Sequence, residues 1–319
     1  MDKICAQIGQ SGAVLLIAHT APDGDTLGSC FALFEALEQL GKKVCVICDC
    51  DMPFYLKDIP YASRLSLVPS FDAQLVISVD CADIERMGKS AQYFEKVPKK
   101  IVIDHHPTNS GFGQWNCIKP SAGATGEIIW ELLKRLRVNI TPTIAQNIYV
   151  ALATDTGNFS YSNTTPDTFR IASEALSFGF DISEINNRLF RLRAKEKTKL
   201  IGVAIVNMNM HVGDKVAMSV VTAKEMNEIG AVSADTEGII DFLRDVEGVE
   251  IAAFLHESFS EPDTFKVSLR SKYYANVSTI AARFAGGGHK FAAGLTLHGT
   301  KDKVCSELLS AINEELERC

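Results

Sequence analysis

Apolar residues along this chain follow two rhythms. Short runs rich in β-branched residues, at 14–18, 44–48, 75–79 and 101–103, read as buried strands. Between them Phe31, Leu33, Phe34, Leu37 and Leu40 fall at helical spacing and stop before Gly41, and another helix is expected over 84–94. Further helices follow over 124–136, 143–154 and 166–178. Such alternation predicts an α/β fold built on a doubly wound, mostly parallel sheet.

The pattern then changes. From 181 to about 210 a helical pattern with a charged middle, Arg188 to Lys199, carries little that would stop it and reads as a connector. Strands are expected near 216–221, 249–255 and 264–269, with helices near 235–244, 277–284 and 302–315, which describes a smaller mixed-sheet α/β domain. The expected division is a first domain over 1–185, a helical connector over 186–212 and a second domain over 213–319.

Composition narrows the class. With 319 residues, 46% of them hydrophobic, the chain can bury the cores of two domains. No apolar run reaches about 18 residues, so no membrane span is expected. The start, Met1-Asp2-Lys3-Ile4-Cys5, lacks the basic and apolar segments of a secretory signal, so a cytoplasmic enzyme is expected. Nine cysteines without a regular framework fit reduced thiols. Cys45 and Cys48, followed by Cys50, have no second pair to complete a zinc site, and residues three apart on a strand face opposite ways. A net charge of -7 argues against binding long duplex nucleic acid, yet leaves room for a short phosphorylated ligand in a local basic pocket.

The chemistry lies at the ends of the apolar runs. The first strand leads to His19, with Asp23 and Asp25 close behind; the third leads to Asp80; the fourth leads to Asp104-His105-His106; and a helix delivers Asp155. In an open α/β sheet, groups just past the strand ends converge on one crevice. So many carboxylates there need a counter-charge, most simply a pair of cations. Oxygen-rich ligands with a few imidazoles suit Mn or Mg better than zinc or copper. For Asp23 and Asp25 a turn or capping role is the alternative.

The spacing His19-x-x-x-Asp23-x-Asp25, the strand-end Asp80, Asp104-His105-His106 and Asp155-Thr-Gly157 together resemble the four motifs of DHH phosphoesterases, a family that includes RecJ exonucleases and manganese pyrophosphatases. Gly286-Gly-Gly-His289-Lys-Phe-Ala-Ala-Gly294 resembles the signature of the DHH-associated domain, and Val267-Ser-Leu-Arg270-Ser271 the arginine strand before it. The match spans nearly the whole chain in the right order. Its size resembles the compact nano-RNase and pAp-phosphatase branch. RecJ's extra domains have no room here, and the transmembrane and sensory segments of membrane-bound cyclic-dinucleotide phosphodiesterases are absent.

The resemblance implies one metal on His19, Asp23 and Asp80 and a second on Asp25, Asp80, His105 and Asp155, with Asp80 bridging. Two Mn2+ are expected, with Mg2+ as the other candidate. A water shared by such a pair would be the nucleophile, attacking in line. His106 would contact the scissile phosphate or protonate the leaving oxygen, with a purely positioning role as the alternative. Arg270, Gly287, Gly288, His289 and Lys290 would grip phosphate from the second domain, placing the active site in the interdomain cleft. Arg86 and Phe159 could border the same crevice, Phe159 by stacking on a base. The implied substrates are short single-stranded oligoribonucleotides, cut to mononucleotides, and 3′-phosphoadenosine 5′-phosphate (pAp), giving AMP and phosphate. The neighbouring alternative is hydrolysis of cyclic di-AMP or pApA, and the alternative of another class is a nucleotide sensor without catalysis. An apolar face of the first domain could support a homodimer.

Overall fold

The computed structural model describes residues 1–318, and the chain divides into two compact units after Leu192. In the first unit the order is α1 (Asp2–Gly9), β1 (Ala13–Ile17), α2 (Gly24–Gln39), β2 (Lys43–Ile47), β3 (Leu65–Ser66), β4 (Leu75–Val79), α3 (Ala91–Lys96), β5 (Lys99–Asp104), β6 (Trp115–Ile118), α4 (Thr125–Leu136), α5 (Pro142–Asp155), α6 (Pro166–Leu176) and α7 (Ile182–Asn186). The strands form one six-stranded sheet in the order β3-β2-β1-β4-β5-β6, and every pairing is parallel. The chain therefore reverses its direction of winding between β1 and β4. That switch point opens a crevice beyond the carboxyl ends of the two strands, and His19 and Asp80 sit there.

Strand β4 is buried along its whole length, as expected for a central strand covered on both faces. Helix α2 is buried from Gly24 to Leu37, far beyond one stripe, because α5 packs over its other side. The two backbones approach so closely that a Cβ on Gly28 would lie 2.4 Å from the Asn147 carbonyl oxygen.

The expected helix over 84–94 is shorter. A 3-10 turn, Glu85–Ser90, precedes α3, and Gly88 at φ 55 breaks the helical path. The Lys89 amide beyond it donates to Asp49 at 2.8 Å. Strands β3 and β6 carry too few alternating residues to announce themselves in the sequence.

The continuous helical connector also breaks. Helix α7 runs into one π turn, Asn187–Arg191, Leu192 and Ala194 are extended, and α8 (Lys195–Val206) begins afresh in the second unit. No proline or glycine marks the break. Its cause is anchoring: Ile185, Leu189 and Phe190 belong to the core of the first unit, whereas Leu200, Ile201 and Ala204 belong to a core of the second.

The second unit continues through β7 (Asn209–His211), β8 (Val216–Val221), α9 (Ala223–Ile229), α10 (Ile239–Arg244), β9 (Ile251–Glu257), β10 (Thr264–Ser271), α11 (Val277–Ala282), β11 (Gly287–His289), β12 (Ala292–His298) and α12 (Lys301–Leu316). Its six-stranded sheet has the order β11-β12-β10-β9-β8-β7 and is mixed, β8 and β9 being the parallel pair. Both faces are covered. Ile251, Ala253 and Leu255 of β9 pack toward α11 and α12, while Ala252 and Phe254 pack toward α8 and α10. Among the described residues no helix is long and apolar enough to cross a membrane.

Candidate metal centre

The end of each central strand delivers one group. Asp80, directly after β4, has φ 60, a left-handed conformation uncommon for a residue other than glycine. Such strain persists only where the surroundings hold it. Here the Thr26 hydroxyl donates to Asp80 Oδ2 at 2.6 Å and the Thr125 hydroxyl to Oδ1 at 2.8 Å. The two carboxylate oxygens consequently face different histidines. His19 Nε2 lies 3.7 Å from Oδ2, and His105 Nε2 lies 3.7 Å from Oδ1.

Around these histidines the other carboxylates complete two groups. His19 Nε2 is 3.9 Å from Asp23 Oδ2, and His105 Nε2 is 3.9 Å from Asp25 Oδ2 and 3.4 Å from Asp155 Oδ2. His19, Asp23 and Asp80 thus form one set of converging ligand atoms, and Asp25, His105 and Asp155 a second. A third convergence, Asp80 with His105 and His106, overlaps both.

The spacing and tautomers test whether ions fit. Both histidines spend Nδ1 on a backbone carbonyl, His19 on Thr20 at 2.7 Å and His105 on Ala122 at 3.1 Å. This leaves each Nε2 lone pair aimed at the carboxylates, the arrangement in which imidazole ligates a metal. Separations of 3.4–3.9 Å are too long for hydrogen bonds yet suit two ligands of one ion, each about 2.1 Å away. The residues present fit two divalent cations.

Electrostatics point the same way. Burial raises the pKa of Asp25 well above the carboxylate range, and the charges of Asp80 and Asp155 add to it. Burial and the Asp80 charge raise Asp23, and burial above all lifts Asp155 to about 6. Burial also opposes ionisation of Asp80, but the nearby His19, the hydrogen bond from Thr26 and the nearby His105 outweigh it and hold its pKa low. Bound cations would relieve the repulsion among these groups.

His106 has different partners. Its Nδ1 lies 2.7 Å from Asp104 Oδ1, and Asp104 is fully buried, with its other oxygen accepting from Asn109 Nδ2 at 2.7 Å. The hydrogen bond to Asp104 raises the pKa of His106 to about 9 despite its partial burial. This favours the cationic imidazole, and its Nε2 has no hydrogen-bond partner among the described residues.

One segment, Ala122 to Gly126, braces much of this arrangement, and sequence reasoning missed it. Ala122 orients His105, the Thr125 and Gly126 amides donate to Asp25 at 2.7 and 2.9 Å, and the Thr125 hydroxyl holds Asp80. These amides open α4, so the positive end of the helix faces the buried carboxylate. Asn163 ties the segment to the last ligand, donating to the Gly123 carbonyl at 2.9 Å and to the Asp155 carbonyl at 3.0 Å. The available signal was Gly123-Ala-Thr-Gly126, a small-residue run opening a strongly apolar helix. Cys48 has a bracing role too, its thiol donating to the His19 carbonyl at 3.1 Å, with burial pushing its pKa up to about 12.

The remaining expected contacts fall out as follows. Arg86 stands beside the centre in the first unit, where its carbonyl accepts from the Thr20 amide at 2.7 Å while its side chain is exposed. Phe159 turns inward. Its ring stacks on Phe169 at 5.4 Å and tilts against Tyr149, so its observed contacts are packing contacts, and Tyr161 is the exposed aromatic of that loop.

In the second unit, Arg270 donates to the neighbouring Leu269 carbonyl at 3.1 Å, and His289 and Lys290 are exposed at the β11–β12 turn. The glycines there have two uses. A Cβ on Gly286 or Gly288 would lie 2.4 Å from a carbonyl oxygen of β12, so strand packing demands both, whereas Gly287 faces open space.

Residues 13–154 match the DHH family, N-terminal domain, and residues 213–318 match the DHHA1 domain. Over 313 residues the chain is 33% identical to the bifunctional oligoribonuclease and PAP phosphatase NrnA of Thermus thermophilus, covering 96% of this chain and 91% of that one. An exopolyphosphatase-related protein from Bacteroides fragilis has a similar structure, with TM-score 0.88, 26% identity and coverage of 98% and 95%. RecJ from Thermus thermophilus, solved in complex with Mn2+, shares the fold at TM-score 0.54 and 14% identity, over 99% of this chain and 54% of RecJ.

Proposed function

This chain belongs to the DHH family of phosphoesterases, and from that premise we propose that it hydrolyses phosphate esters at ribose 3′ oxygens, degrading short oligoribonucleotides to mononucleotides and pAp to AMP and phosphate. The observation that carries the reading is the two-sided carboxylate of Asp80, each oxygen of which faces a different histidine with further carboxylates behind it. The substrates follow the name of the Thermus thermophilus relative, similar over nearly the full length of both chains. The oxygen-rich donor set favours Mn2+, with Mg2+ able to take its place.

His19, Asp23 and Asp80 would hold one cation, and Asp25, Asp80, His105 and Asp155 the other. When bound, such a pair neutralises the phosphoryl oxygens and acidifies the attacking water. The rest falls to the chain. Asp80, pinned by Thr26 and Thr125, holds the two ligand sets in register. His106, kept protonated by Asp104, donates from Nε2 to the leaving 3′ oxygen, so that the departing ribose does not carry a negative charge. Asp104 and Asn109 fix the direction of that ring. Arg270, His289, Lys290 and the backbone at Gly287 and Gly288, open at Gly287, supply the phosphate grip of the second unit, and Arg86 lies on the rim in the first. Phe159 contributes by supporting the loop after Asp155.

The test is the metal-freed protein reconstituted with Mn2+ and given pAp, a ladder of short RNAs, pApA, cyclic di-AMP and pyrophosphate in parallel, with Asp80→Ala as control. Release of AMP from pAp and of mononucleotides from the ladder, abolished in the control, is expected. Turnover confined to pApA or cyclic di-AMP would move the enzyme to a signalling role, and binding without turnover would make it a sensor.

A further inference from the structure

Two turns of the second unit are stitched together and leave aromatic rings in solvent. The Ser271 amide donates to the Phe291 carbonyl at 3.1 Å, and the Val277 amide to the Lys290 carbonyl at 2.9 Å. The turn after β10 therefore lies against the turn between β11 and β12. Between them they expose Tyr273, at 70%, and Phe291, at 46%. Each ring has a cation over one face, Lys272 Nζ at 5.6 Å from the Tyr273 centroid and Lys290 Nζ at 5.0 Å from that of Phe291, which leaves the opposite face for a ligand.

A buried acid makes this turn rigid. Glu250 is only 3% exposed, and its Oε1 accepts from the Ser271 hydroxyl at 2.9 Å and from the Tyr274 and Ala275 amides at 2.8 Å. The Tyr273 amide lies 3.2 Å from Oε2, and the Lys272 amide donates to the Glu250 carbonyl at 2.9 Å. The negative charge of the turn thus points inward and is hydrogen-bonded, while Lys272 and Lys290 flank the rings. A backbone held this way needs little further ordering when something covers the turn.

We infer that Tyr273 and Phe291 form a shelf on which a nucleobase of a single-stranded oligoribonucleotide stacks, with Lys272 and Lys290 meeting the adjoining phosphates. The inference rests on the phosphoesterase reading above and deepens it, because inorganic phosphate or pyrophosphate has no flat apolar face to place on these rings. Every base has a π face, so the shelf tolerates sequence, and the paired cations match a phosphodiester backbone. It makes the second unit a reader of bases as well as of phosphate.

The experiment titrates the full chain, with metal chelated so that nothing is cut, against a 5′-phosphorylated triribonucleotide carrying 2-aminopurine, whose fluorescence is quenched by stacking. Wild type is expected to bind and quench. Tyr273→Ala and Phe291→Ala should each weaken binding about tenfold and remove the quenching. Tyr273→Phe should restore both, since the ring acts and not the hydroxyl. The exposed positions leave folding intact, which an unchanged melting temperature verifies. Alanine variants that bind and quench like wild type overturn the shelf even if mononucleotide release with Mn2+ shows the phosphoesterase reading to be right. Quenching lost in the variants, without turnover by wild type, keeps the shelf and overturns that reading. Unchanged oligonucleotide binding with a fall in sedimenting mass would assign the rings to a contact between copies of the chain and also overturn the shelf.

Discussion

The hydroxyl of Thr125 lies 2.8 Å from Oδ1 of Asp80, on the opposite side of the carboxylate from the Thr26 hydroxyl. A carboxylate that serves two ligand sets must not rotate, and these hydroxyls are what prevent it. Thr125→Val keeps the shape and removes the donor, so Mn2+ affinity and turnover should both fall about 10–100-fold. Thr125→Ser should retain both. Calorimetric Mn2+ titration alongside the rate assay separates the outcomes, and an unimpaired valine variant would mean that the bond only fills space.

His106 and Asp104 form a pair beside the two ligand sets, 2.7 Å between Nδ1 and Oδ1, with the same Nδ1 3.8 Å from Asp80 Oδ1. A proton donor held this way is needed for turnover and not for holding metal. His106→Ala is expected to keep the metal content of wild type while the rate drops about 10²–10⁴-fold. If the histidine serves only to order its neighbours, metal content will fall with the rate, or the rate will barely change. Elemental analysis of the dialysed variant with one kinetic trace decides between them.

The candidate ligands could be read from sequence because each stands at the end of a strand or helix whose apolar run is plain. His19, Asp80 and His105 each follow a strand by one or two residues, and a parallel sheet leaves such residues on one edge. Their supports were not legible. Thr26, Thr125, Asn109 and Asn163 act through distances set by packing, and a threonine that holds a carboxylate looks in sequence like any threonine opening a helix. The same limit applies to Phe159, whose inward turn depends on Tyr149 and Phe169, and to the break at Leu192, which depends on the two cores pulling its flanks apart.

Helices α2 and α5 carry Asp25 and Asp155, and Gly28 sets how closely they lie. A Cβ there would come within 2.4 Å of the Asn147 carbonyl and 3.1 Å of the Ala151 amide nitrogen, both backbone atoms that cannot swing aside. Gly28→Ala gains about 1 kcal/mol of helix propensity but incurs an overpacking cost of about 1–3 kcal/mol. The expected net result is a lower melting temperature together with a smaller rise on adding Mn2+, because the two carboxylates move apart. A variant with a higher melting temperature and undiminished stabilisation by Mn2+ would contradict this account of the helix contact.

Glu250 ties the stability of the second unit to acidity. Burial alone would raise its pKa, but the hydrogen bonds it accepts from the Ala275 and Tyr274 amides, Ser271 and the Tyr273 amide outweigh burial and lower the pKa from the ordinary 4.5. With a folded pKa below the unfolded one, the unfolded chain binds the proton more readily. The contribution is therefore fully present above about pH 4.5 and is lost as pH falls through the lower folded value. In Glu250→Gln an amide replaces one acceptor oxygen and turns donors against donors, at a cost of about 1–3 kcal/mol. Hydrogen exchange at the Tyr273, Tyr274 and Ala275 amides reads this locally. Once corrected for intrinsic rates, protection in wild type should be high at neutral pH and decline below about pH 4.5, whereas the glutamine variant should start low and stay flat. Equal protection in the two proteins at neutral pH would show that the turn holds its shape without the carboxylate.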